Sequence, residues 1–276
     1  MEYKSTIQCH LYNKDPILRI ENEIRSANLK EPLQVEELLE FDQMHYLGTE
    51  AIDKAIASIF IENSHLVLDI GCGFGGPARY LAKKVGCQVH GIEIQEKIAE
   101  FAQQLNMKVN MQEQVHIRTG NFLNLEITQT YDRIISYLVF LHIPDKTKLW
   151  SQLAASLKEK AQFYVEDFIR LRQLEPIEEK ILKSVVGAEG IQDLETYRYS
   201  IEKQGLEVNE CIDLSKIWAT WTKERANAYL KQVTEQAKKH GVEAAEHMLE
   251  FFQVVAKLFA EGAIGGIAIR GIKNPQ

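Results

Sequence analysis

Cysteine is sparse in this chain. Four residues, Cys9, Cys72, Cys87 and Cys211, stand at spacings that suit neither a zinc site nor a disulfide frame, so they read as reduced thiols of a reducing compartment with no metal expected. Long apolar runs are absent as well. No stretch approaches the ~20 residues needed to span a bilayer, and Met1 to His10 lacks the apolar core of a signal peptide. A cytoplasmic protein without a membrane span is expected. Positive charge is in deficit: 32 Lys and Arg against 39 Asp and Glu leave a net charge of −7. A nucleic-acid partner, which calls for a basic stripe, is therefore not expected. Repeats and low-complexity tracts are also missing, and 276 residues suffice for one sizeable α/β domain.

What is present centres on "LVLDIGCGFGGPARYLA", Leu66 to Ala82. It reads as a buried strand ending in an acid (Asp69), a glycine turn (Gly71, Gly73, Gly75, Gly76) and a helix with Pro77 near its start, where a missing N–H is harmless. Glycines there allow positive φ and close approach of the backbone to a ligand. The helix N-terminus adds unpaired N–H groups and partial positive charge. Such a turn suits a small polar cofactor, but G-x-G-x-x-G alone serves nicotinamide, flavin and S-adenosylmethionine (SAM) sites alike.

The rest of the chain alternates strand and helix. Apolar spacing predicts helices around Ile17–Ile24, Glu36–Leu39 and Ile52–Phe60 before the first strand, Leu66–Ile70. Further strands are expected at Gln88–Ile92, Val115–Arg118, Asp132–Tyr137, Gln162–Asp167, Val208–Asp213 and Gly265–Arg270. The helices between them are expected at Pro77–Val85, Gln95–Met107, Lys146–Leu157, Pro176–Gly187, Asp193–Lys203, Thr222–Lys239 and Val242–Glu261. The last of these should bury Met248, Phe252, Val255 and Phe259. Alternation of this kind implies an α/β fold with a parallel sheet covered on both faces.

Three features sharpen the glycine turn: the D-x-G-x-G spacing from Asp69, the strand-end Glu93 about twenty residues on, and "YDRIISYLVFLHIPD" from Tyr131 to Asp145. With them the chain resembles a class I SAM-dependent methyltransferase, most similar to the sarcosine/dimethylglycine and phosphoethanolamine N-methyltransferases. The likeness runs from Asp42 to Gly271 and is strongest in the glycine turn, in "FLHIPDK" and in "LFAEGAIGGIAIRG". The resemblance implies a Rossmann-like, seven-stranded, mostly parallel sheet with helices on both faces. Its last strand would be reversed, between strands five and six. It also implies an N-terminal helical lid over residues 1–47. The SAM-binding domain would be 48–276, with helical insertions at about 170–190 and 217–261.

Ligands in such sheets sit at the carboxyl ends of the strands, beside the switch point. By resemblance and geometry together, Asp69, Gly71, Cys72, Gly73 and Gly75 would face the methionine part of SAM. Glu93 would hold the ribose, or else merely open a helix, with Ile94 and Gln95 along the ribose edge. Asn121 and Phe122 would meet the adenine. The family commonly has an acid at position 121, and an Asn can still accept from the adenine amino group or simply cap a turn. Tyr137 completes the cofactor set.

Methyl transfer is an in-line displacement, so the protein chiefly aligns the acceptor and excludes water. His142 matches the catalytic histidine of the phosphoethanolamine relatives, and a neutral imidazole can take a proton at neutral pH; its alternative is a core histidine bonded to backbone. Tyr46 is its expected partner, and His45, Leu138, Glu166, Tyr197 and Trp218 are the expected acceptor contacts. Leu138 stands where amine-methylating relatives carry an acid. The expectation is N-methylation of a small amine or amino acid. The alternatives are an O- or C-methyltransferase for a larger apolar molecule, and a SAM- or nicotinamide-binding module without methyl transfer. The sequence leaves a homodimer open.

Overall fold

The computed structural model describes residues 16–126 and 128–275. Cys9 and the first fifteen residues of the expected lid lie outside the described residues. The chain enters through α1 (Pro16–Ser26), α2 (Val35–Leu38) and α3 (Thr49–Ser58). Strands β1 (Leu66–Ile70), β2 (Gln88–Glu93), β3 (Val115–Thr119), β4 (Tyr131–Tyr137) and β5 (Leu157–Arg170) follow. Between them lie α4 (Gly76–Val85), α5 (Glu96–Lys108) and α6 (Lys146–Ser156). The remainder comprises α7 (Pro176–Ile181, continued by a π turn to Val186), α8 (Leu194–Glu202), β6 (Leu206–Asp213), α9 (Ser215–His240), α10 (Val242–Ala260) and β7 (Ile264–Lys273).

The seven strands form one sheet in the order β3-β2-β1-β4-β5-β7-β6. β1 to β5 run parallel, whereas β7 pairs antiparallel with β5 and β6. This is the expected Rossmann-like sheet with its reversed last strand. The chain winds outward from β1 through β2 to β3 and then crosses back to β4 on the other side of β1, so a crevice opens at the carboxyl end of β1.

Each β1 residue alternates between two cores. Val67 joins the cluster built on α3, α4 and α5, while Leu68 and Ile70 join the cluster built on α6 and α8 around Trp150 and Tyr197. Burial on both faces is why the strand reads as a continuous apolar run. Among the described residues, no helix is long and apolar enough to cross a membrane.

Three elements depart from the sequence expectation. β5 extends beyond Gln162–Asp167 at both ends, because it pairs with β4 back to Leu157 opposite Tyr131 and with β7 out to Arg170 opposite Ile264. α9 begins at Ser215, not at Thr222. Its first turn is seated on β7: the Leu214 N–H donates to the Gly266 carbonyl at 2.8 Å, and Ser215 Oγ accepts the Gly266 N–H at 3.2 Å. The third departure is Met248, expected in the core of α10, which stays half-buried while Phe252, Val255 and Phe259 are buried.

The seat of α9 depends on a missing side chain. A Cβ at Gly266 would press into the indole of Trp218, itself fully buried. Gly266→Ala should therefore overpack this contact and cost about 1–3 kcal/mol, read as a lowered urea midpoint at constant m-value. A loss below ~0.5 kcal/mol, the level of a neutral surface change, would show that Trp218 has room to retreat.

Candidate active site

At the crevice the backbone turns sharply. Gly71, Gly73 and Gly75 hold φ of +72°, +52° and +78°, a region closed to most side chains. The Gly71 and Cys72 N–H groups both donate to the Ile92 carbonyl, at 2.8 and 3.1 Å, clamping the turn to the end of β2. A Cβ at Gly71 would collide with Val139, but one at Gly73 would meet nothing within 4 Å. The open space above Gly73 is the floor of a cleft of about 1580 Å³, solvent at its mouth included.

Two acids stand at this floor. Glu93 accepts the Gly73 N–H at 3.1 Å through one oxygen and the Gln95 N–H at 2.9 Å through the other. Burial raises its carboxyl, and those two backbone donors oppose the rise. Asp69 is buried, and its Oδ2 has no hydrogen-bond partner among the described residues. Burial and the neighbouring Glu93 charge push Asp69 up to about 7. A buried carboxylate oxygen without a donor is costly, and here it faces the cleft.

The wall beyond β4 carries the basic groups. His142 Nδ1 lies 2.9 Å from the Gly187 carbonyl. A carbonyl only accepts, so Nδ1 bears the proton and Nε2 keeps its lone pair. Burial holds this imidazole below its usual range, with Lys146 adding in the same sense. His45 is arranged similarly: Nε2 donates to the Gly48 carbonyl at 2.9 Å, and Nδ1 is left without a partner among the described residues. Burial drives His45 down to about 4, with the Arg225 charge contributing. Its ring lies 4.8 Å from that of Tyr137. Leu138, between these groups, holds φ at +55°, a strained conformation for a branched residue that recurs at functional sites.

Residues 67–160 match the sequence pattern of a family described as "Methyltransferase domain". Over that stretch the chain is similar to methyltransferase domains, and its sheet has the fold of solved methyltransferase structures. It is 27% identical over 178 residues to the sterol 24-C-methyltransferase ERG6 of Saccharomyces cerevisiae, covering 62% of this chain and 44% of that one. Against the glycine/sarcosine/dimethylglycine N-methyltransferase of Actinopolyspora halophila it is 25% identical over 171 residues, 60% of this chain and 29% of that one. In fold it is similar to the cyclopropane synthase MmaA2 of Mycobacterium tuberculosis, with a TM-score of 0.78, 17% identity and 97% of each chain covered. The chain spans less than two thirds of the length of the curated relatives it matches.

Around the cleft, the residues expected from the sequence divide into two groups. Asp69, Gly71, Cys72, Gly73, Glu93, Ile94 and Gln95 line the cleft, as do Asn121, Phe122 and Tyr137. Asn121 also caps the short turn after β3, its Oδ1 accepting the Leu123 N–H at 3.0 Å. Gly75 does not line the cleft. It is the N-cap of α4, where a Cβ would meet the Arg79 guanidinium at 2.8 Å. On the acceptor side His45, Tyr46, Leu138 and His142 line the cleft.

Glu166, Tyr197 and Trp218, expected as acceptor contacts, are placed elsewhere. Glu166 accepts the Tyr164 hydroxyl at 2.7 Å, and burial pushes it up to about 7. Tyr197 donates to Asp167 at 3.0 Å within the α6–α8 core. Trp218 packs edge-on to Tyr46, 5.0 Å between centroids. Each points away because strand alternation or a helix face turns it into a core. Sequence reasoning missed Arg19, Arg225, Met248, Phe251 and Phe252, which also line the cleft. Met248, Phe251 and Phe252 fall at helical spacing, which reads as core whether they face a core or a ligand.

Arg79 is another group missed. It is fully buried on α4, pairs with Asp42 at 2.8 Å, and donates to the Phe74 carbonyl of the glycine turn at 2.5 Å and to Asn106 on α5 at 2.7 Å. Asp42→Ala would strand that guanidinium. A loss of about 3–5 kcal/mol is expected, measured by urea unfolding, whereas exposed Glu50→Ala, at an exposed ion pair with Lys54, should cost less than ~1 kcal/mol.

Proposed function

We propose that the chain is a SAM-dependent methyltransferase for a small molecule with an apolar body. The observation that carries this reading is the floor of the cleft, where an unpartnered buried carboxylate, Asp69, stands beside an unobstructed Gly73. Those two fit the cationic amino-acid end of SAM, and Glu93 fits its ribose, because each oxygen keeps acceptor capacity beyond its backbone N–H. With Asn121 Oδ1 engaged in its cap, the side-chain amide remains to donate to an adenine ring nitrogen. When bound, SAM supplies a methyl group made electrophilic by its sulfonium.

The chain's own residues do the rest. Tyr46, Phe251 and Phe252 cover the cleft and exclude water. His142, neutral and with Nε2 free of its backbone bond, takes the proton that an N–H or O–H acceptor must lose. The part of residues 1–47 that is described reaches the cleft through Met44, His45 and Tyr46, so this segment serves as the cap.

The acceptor wall, with Met44, Leu141, Phe168 and Met248, is apolar, and Asp42 beside it is already paired with Arg79; among the described residues this favours a larger apolar acceptor over a small cation. The second reading, N-methylation of an amine or amino acid, is supported by the His142 geometry and by the N-methyltransferase relative. Release of S-adenosylhomocysteine, assayed over amines, amino acids, phenols and apolar alcohols, separates the two. Turnover with none of them, despite SAM binding, would leave a binding module.

Titration calorimetry should show micromolar SAM binding to the native chain and none to Gly73→Leu; no binding by the native chain at millimolar SAM would sink the proposal. Asp69, near 7 when free, must be ionised to hold an ammonium. Binding should therefore release a proton and tighten as pH rises from 6 to 7, levelling above that. Heats compared in phosphate and Tris buffers read the proton directly. His142→Ala should lower kcat at least ~100-fold with SAM affinity unchanged. The native acid limb of the pH profile should lie below pH ~6.5, the unperturbed histidine value, because burial lowers this imidazole.

A further inference from the structure

The cleft is electrically bipolar, and only one end is used by the reading above. From Glu93 the ionisable neighbours run in sequence: Glu93 acts on Asp69, Asp69 on Tyr137, Tyr137 stacks near His45, and His45 feels Arg225. The acids thus occupy the glycine-turn end, and Arg225 the far end against α10.

Arg225 is held without an anion. Its guanidinium carbon lies 4.8 Å from the centroid of Trp221 and 4.6 Å from that of Phe252, so aromatic rings attend the planar group. Such packing leaves the in-plane N–H edge for hydrogen bonding. Among the described residues no carboxylate or carbonyl accepts from that edge, and the side chain lines the cleft. Burial lowers the group to about 10, so it is still charged at neutral pH. Arg19, whose guanidinium reaches Met44 Sδ at 3.7 Å, lines the same end and adds a second positive charge nearby. An α9 position built only to cover an apolar cleft would be served by Leu or Met. A desolvated guanidinium without a partner costs free energy unless a ligand completes it.

We infer that Arg225 recognises an anionic oxygen headgroup, carboxylate or phosphate, on the acceptor, whose apolar body then lies along Met248, Phe251 and Phe252. This deepens the methyltransferase reading. It rests on that reading only in assigning the acidic end of the cleft to the methyl donor. The planar fork gives bidentate geometry that a lysine would lack. Charge at one end and apolar surface along the wall would then select amphipathic acceptors and hold them in one direction, with the reacting atom toward His142.

The first measurement uses the full chain without SAM, so the anion preference is read independently of donor binding; SAM affinity of the variants is then measured separately. Decanoate, decyl phosphate, decanol and decyltrimethylammonium are titrated by calorimetry against the native protein, Arg225→Met and Arg225→Lys. The native protein should bind at least one of the two anions tenfold or more tightly than decanol and the cation. Comparison of decanoate with decyl phosphate then tells which headgroup is meant. Arg225→Met should lose that preference while binding decanol as before, and Arg225→Lys should recover part of it. Retained decanol affinity also shows that the variant is folded. Equal binding of all four probes, or an anion preference that survives Arg225→Met, overturns the inference. So does a fall in SAM affinity in Arg225→Met that parallels the loss for the anions, since the guanidinium would then serve the carboxylate of the donor.

Discussion

The site depends on one buried guanidinium. Arg79 reaches from α4 to four places at once: Asp42, just before the Met44–Tyr46 stretch that lines the cleft, the Phe74 carbonyl inside the glycine turn, and Ala102 and Asn106 on α5. Asn106 passes the connection on by donating to the Val115 carbonyl at the head of β3. The turn has three residues at positive φ, and its Phe74 packs edge-on against Phe101 of α5. Its shape is imposed by these bonds below and by the Glu93 carboxylate above. The same network brings Asp42 against Gly76, where a Cβ would meet the Asp42 backbone oxygen at 2.6 Å. The Asp42–Tyr46 segment and the glycine turn are therefore one structural unit, which brings His45 and Tyr46 to the cleft.

Above that unit the cleft separates opposite charges. Asp69 and Glu93 lie at the strand ends, Arg19 and Arg225 lie on helices that cross above, and aromatic and methionine side chains fill the interval. Apolar walls lower the local dielectric and strengthen both ends. The histidines in between are both kept neutral by burial, with their ring protons committed to backbone carbonyls. A bound sulfonium and an anionic acceptor would each find a complementary end, and the proton acceptor would stand where they meet.

Much of this was legible in the chain. β1, with its two-sided burial, was readable from an unbroken apolar run, and the three left-handed glycines from their spacing after Asp69. The reversed last strand followed from the resemblance and is present in the sheet. The start of α9 was not readable, because nothing in Asp213 to Trp221 shows that Gly265 and Gly266 leave room for it on β7. Nor could the sequence tell Glu166 from Glu93: both read as acids near strand ends, yet one accepts backbone N–H groups beside the cleft and the other, inside β5, a tyrosine hydroxyl within the core.

Local chemistry determined what is local: periodicity set the strands and helices, and the glycine pattern set a turn able to cradle a cofactor. Contacts between distant segments decided the rest. Arg79 and Asp42 are 37 positions apart, and Arg225 meets Phe252 and the cleft only through the α9–α10 pairing. A side chain's charge and shape are written in its own residue, but its desolvation and its partners depend on which other parts of the chain surround it. For that reason the turn proposed to hold the donor was visible in the sequence, and the wall proposed to meet the acceptor emerged only in three dimensions.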